Sequence, residues 1–231
     1  MMKFSIVVPA LNEAKYIERC LRSIRKQSFE DFELIVKDGL SKDRTAEIAM
    51  KHADHVISRK DFSAGDARNQ GARVARGDIL VFVDADTILP PNALERFSLL
   101  LKNERIVGGS CRKVPDSKSL GDRLFYELTN FCNLLSIPLC IGGAHGNCMF
   151  VRKKIFEKVG GFDPRLKIAE EQDLVRKLKR FGKFVFLLDL KVVESPRRVR
   201  RVGRLRLALI WLFGTIRSFW GGRKQVYEQV R

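Results

Sequence analysis

The sequence predicts an α/β domain with one mostly parallel sheet and helices packed on both of its faces. Three observations carry that expectation. Short β-branched runs alternate with helical periodicity over roughly the first hundred residues, the pattern of parallel strands joined by crossover helices. The run at residues 79–83 (ILVFV) is apolar throughout, as a strand covered on both faces must be. Acids follow the strand runs, at Asp38 and at Asp84 and Asp86, and open α/β sheets bind ligands outside the carboxyl ends of their strands.

Taken in order, residues 3–9 (KFSIVVP) form a buried strand ended by proline. Residues 12–27 have helical spacing, with Ile17, Cys20, Leu21 and Ile24 on one face and Asn12 as the N-cap. Strands follow at 32–36 and 55–58, with a helix at 43–52 between them. A helix at 63–75 carries Ala67, Ala72 and Ala75 as small packing residues, then comes the strand at 79–83 and an amphipathic helix at 92–102. The second half is less regular. It reads as a strand at 107–112, a helix at 120–135, and a glycine-rich loop at 140–151 that enters a strand. A short helix at 155–159, a Gly160-Gly161-Phe162 turn, a helix at 170–181 and a strand at 184–188 complete it. The helix at 170–181 opens with three acids in four residues, which suits a helix N-terminus.

The 231 residues, 45% of them apolar, suffice for one large domain, or for a domain with a small appendage. The net charge of +17 is unevenly placed: eleven basic residues against Glu194 and Glu228 put +9 into residues 191–231. Such a segment seeks a polyanion, whether lipid headgroups, pyrophosphate or nucleic acid. The five cysteines show no metal-type spacing. With no secretory pattern at the N-terminus, they read as reduced thiols of a cytoplasmic protein.

The sharpest chemical signal is Val81-Phe-Val-Asp84-Ala-Asp86. A buried strand delivers two carboxylates spaced i, i+2 into the turn after it, where they can converge on one divalent ion. Mg²⁺ and Mn²⁺ take hard oxygen ligands and accept substrate phosphates in the remaining positions. Taken alone, the tripeptide also fits an acidic loop without an ion. Around it, Asp38-Gly-Leu-Ser41-Lys-Asp43 follows a strand, with Asp38 free to accept from a base edge and Ser41 or Asp43 to cap the next helix. Arg68, in residues 67–72 (ARNQGA), lies on a helix beside the Asp84 strand, or is a solvated helix charge.

In their order and spacing these stretches resemble the family 2 glycosyltransferases of the GT-A fold. The resemblance rests on Ile6-Val-Val-Pro9-Ala-Leu-Asn12-Glu13, residues 36–45 (VKDGLSKDRT), residues 67–72, residues 77–86 (GDILVFVDAD), Gly160-Gly-Phe162 and Glu170-Glu-Gln-Asp173-Leu, and runs from residue 4 to about 190. It implies a nucleotide-diphosphate-sugar donor, UDP- or GDP-linked, a Mn²⁺ or Mg²⁺ cofactor and inversion at the anomeric carbon. It also implies roles. Pro9, Ala10 and Glu13 line the nucleotide pocket, Asp38 binds the base, and Arg68 helps to hold the nucleotide. Asp84 contacts ribose or metal with Ala85 beside it, and Asp86 ligates the metal. His145, in the 142–147 loop, contacts donor phosphate or acceptor, or makes only a local hydrogen bond. The general base falls in the pair Glu170-Glu171, where the family usually has Glu-Asp. Either acid is open to the role, and Glu171 is favoured, with Asp173 orienting a neighbour or capping the helix. Leu40 stands where Gly or Ser is common. The QxxRW signature of processive members is absent, which implies a single transfer per encounter. The segment from Ser195 to Gly203 is similar to the one that follows the catalytic domain in small bacterial and archaeal members.

These readings divide the chain into a catalytic domain at 1–195 and a basic helical extension at 196–231. In the extension Val199, Val202, Leu205, Leu209, Leu212, Ile216 and Phe219 fall on one helical stripe, and the apolar run is too short to span a bilayer. An interfacial helix fits, with Trp211 and Trp220 at the headgroup boundary and the arginines on anionic lipid, peripheral on the inner face of the cell membrane. The same helix can instead pack on the domain or in a dimer interface, and Arg197 or Arg198 can reach the donor pyrophosphate. A lipid-linked acceptor follows from the membrane reading. Competing classes are a sugar nucleotidyltransferase, which lacks its glycine-rich phosphate loop here, a basic nucleic-acid or membrane module, which lacks a recognition motif, and a catalytically dead scaffold, which the intact acid set opposes.

Overall fold

The computed structural model describes residues 3–139, 143–144 and 146–219. Its centre is an eight-stranded sheet in the order β3-β2-β1-β4-β7-β6-β8-β5. Strands β1 (Phe4–Ala10), β2 (Phe32–Asp38), β3 (His55–Ser58) and β4 (Ile79–Val83) are mutually parallel. Strand β5 (Thr87–Ile88) lies at the far edge, antiparallel to β8 (Lys183–Glu194), and β6 (Ile106–Pro115) runs parallel to β8. Strand β7 (Cys148–Arg152) enters between β4 and β6 antiparallel to both, so the parallel order holds for the first half and the second half is mixed.

The period of two sorts the strand residues onto the faces. Phe4, Ile6 and Val8 of β1 and Ile79, Val81 and Val83 of β4 join one core with Ile17, Leu21 and Ile24 of α1 (Ile17–Arg25) and Phe97 of α4 (Ala93–Leu101). Val7, Leu80 and Phe82 point the other way, toward Ala72 of α3 (Ala64–Val74), Phe156 of α6 (Lys153–Lys158) and Leu174 and Leu178 of α7 (Glu170–Leu178). Each such side chain contributes about 1.5–3 kcal/mol when fully buried. Helix α3 lies unusually close to the sheet, because a Cβ on Gly71 would come within 2.3 Å of Val7 Cγ1. The α3 start is a capped one: the Ser63 hydroxyl accepts from the Asp66 amide.

Several expected boundaries move. Helix α1 starts at Ile17, and Asn12 is no N-cap but a left-handed residue with φ 55°. Its side chain accepts from Lys42 N at 2.8 Å, which ties the β1 loop to the β2 loop. Arg44 stands at the N-cap position of α2 (Thr45–Met50), and Asp43 does the capping, its Oδ1 accepting from the Thr45 amide at 3.0 Å, while Ser41 bonds Asn12 and Asp38 instead. The extension is two helices, α8 (Arg197–Val202) and α9 (Arg204–Phe219), broken at Gly203 with φ 89°. The break dissolves the single stripe: Val199 and Leu207 are buried, whereas Leu205, Leu209, Leu212 and Ile216 are exposed. Val199 and Leu207 pack with Phe125 and Tyr126 of α5 (Leu120–Ser136), and Trp211 stacks on Phe125 at 6.0 Å. Trp211 is therefore a packing residue, while Trp220, His145 and residues 140–142 lie outside the described residues. Among the described residues no helix is long and apolar enough to cross a membrane.

Candidate active site

Two guanidinium groups organise the acids. Arg68, on α3, is 2% exposed. Its Nη2 donates to Asp84 Oδ1 at 2.9 Å and to the Gly146 carbonyl at 3.2 Å, and its Nη1 to Glu170 Oε1 and Glu171 Oε1, both at 3.3 Å. The guanidinium also lies over the Phe162 ring, 5.4 Å from its centroid. Burial opposes the charge, but the three carboxylates outweigh it and hold Arg68 protonated. One cation facing three acids leaves a deficit of positive charge. Glu170 shows it: burial, then the neighbouring Glu171, push its carboxyl up to about 7 against the pull of Arg68 and Arg198.

The local backbone is built for this contact. Ala169, immediately before Glu170, has φ 63°, a left-handed conformation that aims both glutamates inward and costs about 1–2 kcal/mol for a residue with a Cβ. At Gly146 a Cβ would sit 2.0 Å from Glu171 Oε1 and 2.6 Å from Arg68 Nη2, so only glycine admits the pair. Asp173 pairs with Arg176 and Lys177 on its own helix.

The second guanidinium is Arg197, at the start of α8. Its Nη2 pairs with Glu13 Oε1 at 2.5 Å, its Nε with Asp86 Oδ2 at 3.1 Å, and it stacks over Tyr16 at 4.5 Å. Its side chain is 32% exposed and lines an open cleft with Asn12, Lys15, Tyr16, Arg198 and Arg201. Burial, then Glu194, raise the Asp86 carboxyl to about 7, with Asp84 and Glu13 adding to the rise and Arg197 opposing it.

The structure thus brings Glu13, Arg68, Asp84, Asp86, Glu170, Glu171 and Arg197 together, with Arg198 lining the cleft and close enough to favour the Glu170 charge. Pro9 and Ala10 stand at the end of β1, but Ala10 and Ala85 turn their methyl groups into the core, which leaves only their backbones for a ligand. Asp38 ends β2 on the same carboxyl edge of the sheet but shares neither arginine. It lies two strands from β4, and its carboxylate accepts from Leu40 N, Ser41 N and Ser41 Oγ, closing its own turn. Sequence reasoning missed Glu194 and Tyr16. Glu194 ends β8, accepts from Tyr126 and pairs with Lys113 at 3.5 Å, and its strand runs six residues past the apolar run that signalled it.

Among the described residues no group of three or more His, Cys, Asp or Glu side chains is arranged to hold a metal. The donor set fits a Mg²⁺ or Mn²⁺ ion that takes one or two carboxylates, Asp86 and Asp84, and leaves its remaining positions to phosphate and water. It does not fit an all-protein cage.

The chain resembles solved glycosyltransferases across nearly its whole length. A mannosyltransferase from Pyrobaculum calidifontis, solved in complex with GDP-Man and Mn²⁺, superposes with a TM-score of 0.77 at 23% identity, covering 96% of this chain and 65% of that one. S. aureus TarS 1–349 in complex with UDP-GlcNAc gives a TM-score of 0.64 at 21% identity, over 84% of this chain and 59% of that one. At these identities the likeness shows a shared GT-A fold. In sequence, a PGL/p-HBAD biosynthesis glycosyltransferase of Mycobacterium bovis is 28% identical over 185 residues, 74% of this chain and 67% of its own length. A glycosyltransferase of Rickettsia typhi is 26% identical over 193 residues, of which this chain spans 60% of the length. The description of glycosyl transferase family 2 matches residues 5–160, more than half of the sequence, and the chain belongs to that family.

Proposed function

We propose that the chain transfers a sugar from a UDP- or GDP-linked donor to an acceptor hydroxyl or phosphate, with inversion, at the edge where β1, β4 and α7 meet. The observation that carries this reading is the pair of acid clusters, each organised by one arginine, at the carboxyl end of the parallel strands. Tyr16 and Arg197 line the cleft that receives the nucleotide, Glu13 is held against it by Arg197, and Asp38 ends the neighbouring strand β2. Arg197 and Arg198 offer forked donors that match phosphate geometry. A divalent cation on Asp86 and Asp84 would supply neutralisation of the charge that develops on the leaving diphosphate.

Glu171 is the general base of this proposal. Glu170 and Glu171 share one guanidinium, so the two do not ionise independently. The buried member, Glu170, keeps its proton toward neutral pH, and Glu171, the less buried of the two, is the one placed to take the acceptor proton. Displacement from the side opposite the diphosphate then inverts the anomeric carbon. The acceptor is presented at an anionic membrane surface, with the protein peripheral on the cytoplasmic side. The donors named in the P. calidifontis and S. aureus complexes support a nucleotide-sugar substrate, and the Mn²⁺ of the former supports the cofactor.

The direct test is a melting-temperature screen of UDP- and GDP-sugars with and without Mn²⁺. A ligand that binds only the native state stabilises it by RT ln(1 + [L]/Kd), and so raises the melting temperature. The expected result is a rise of several degrees with one nucleotide series that requires Mn²⁺ and is absent in Asp86→Ala. No rise with any donor would refute the reading.

A further inference from the structure

Helix α5 carries a feature that the nucleotide site does not use. Leu120, Leu124, Leu128, Phe131 and Leu135 recur every three or four residues, so they lie on one face, and each is between 47% and 70% exposed. Helix α9 shows a second such set, Leu205, Leu209, Leu212, Phe213 and Ile216, between 43% and 75% exposed. The two sets flank a single seam, because Phe125 and Trp211, beside Leu124 and Leu212 in the chain, stack on one another. Monomeric soluble domains rarely leave so much contiguous large apolar surface uncovered.

The charges around the seam are predominantly positive. Residues 195–227 contain no acid. On α5, Asp122 is buried beneath Arg200 and Arg204, and the exposed Glu127 pairs with Arg112 at 2.5 Å. Arg123, Arg201, Arg204 and Arg206 are exposed at the rim of the apolar faces. A second copy of the chain would bring the same positive rim against itself in a two-fold contact, which like-charge repulsion disfavours. An anionic bilayer complements both parts, taking leucine and phenylalanine below its headgroups and arginine among its phosphates.

We infer that α5 and α9 together form a monotopic docking platform for an anionic membrane, with α5 as an equal partner of the basic extension. The inference rests on the proposed presentation of the acceptor at a membrane and gives that reading a surface. The platform adjoins the donor site through α8, whose first residue, Arg197, reaches the acids while Arg200, one turn on, anchors to Asp122 of α5.

The test uses the full chain and extruded vesicles of phosphatidylcholine, with or without about 30 mol % phosphatidylglycerol. Wild type should sediment with the anionic vesicles and far less with the neutral ones. The triple variant Leu124→Gln/Leu128→Gln/Phe131→Gln alters α5 alone at exposed positions. It should keep its melting temperature and lose about tenfold or more in partition coefficient. Wild-type partitioning of this variant would overturn the inference. So would a wild-type dimer, measured by light scattering, that the variant splits and that vesicles leave intact. The donor-induced melting shift is recorded on the same samples. Its absence in wild type would strike the catalytic reading alone, while lost vesicle binding beside an intact donor shift would confirm the platform.

Discussion

The two arginines of the site meet similar numbers of acids in opposite settings. Arg68 is locked beneath the surface by α3, β4, the loop before β7 and α7, with Gly146 trimmed to admit it. Arg197 sits at the rim of the cleft on the first turn of a short helix, where solvent and ligand reach it. The difference teaches a division of labour. The deep cation fixes carboxylate positions, while the rim cation holds its carboxylates where solvent reaches them, as the proposed exchange for phosphate requires.

That comparison is broken or sharpened by five substitutions. Glu171→Gln should have the largest effect, a fall of about 10³-fold in kcat with the donor-induced melting shift retained, because it removes a proton acceptor and no donor contact. If Glu170→Gln shows that loss and Glu171→Gln does not, the base is Glu170. Next, Arg68→Ala should destabilise the fold by about 3–5 kcal/mol in a denaturant titration, since it strands buried carboxylates. Arg197→Ala should cost about 1 kcal/mol or less and appear as a raised donor KM. Equal stability losses would erase the distinction between the two sites.

The Glu170 carboxyl gives a pH signature of the deep cluster. Its folded pKa of about 7 lies above its ordinary value, so its contribution to stability is fully present below about pH 4.5 and is lost as pH rises toward 7. The difference in melting temperature between wild type and Glu170→Gln should therefore change steadily across that window and level off above it. A last substitution probes the hinge behind the rim. Gly203 has φ 89° with open space at its Cβ position, so Gly203→Ala should cost about 1–2 kcal/mol from backbone strain alone, and any change in kcat beyond it would show that α8 must be free to move.

Much of the first half was legible from the sequence, for identifiable reasons. Ile79–Val83 is apolar on both faces because the sheet is covered on both faces, and the helix expected at 63–75 is α3, with Ala72 packed on the sheet. The direction of β7 was not legible, because a period of two carries no polarity and the antiparallel course is set by β4 and β6. Asn12 misled because the residue type that caps helices also tolerates a left-handed backbone. At the site, the identities of Asp84, Asp86, Arg68 and the glutamate pair could be read along the chain. Their bonding could not: the Glu13–Arg197 pair spans 184 positions, and only the folded sheet makes them neighbours.

The lacing between the β1 and β2 loops has its own consequence. Asn12 N donates to Ser41 Oγ, Glu13 N to Thr45 Oγ1 and Ala14 N to Asp43 Oδ2, so three consecutive amides of one loop hang on side chains of the other. The two loops form a single mechanical part. Ser41, which takes the Asn12 amide, also closes the Asp38 turn, so whatever displaces that turn pulls on Glu13, and through Glu13 on Arg197.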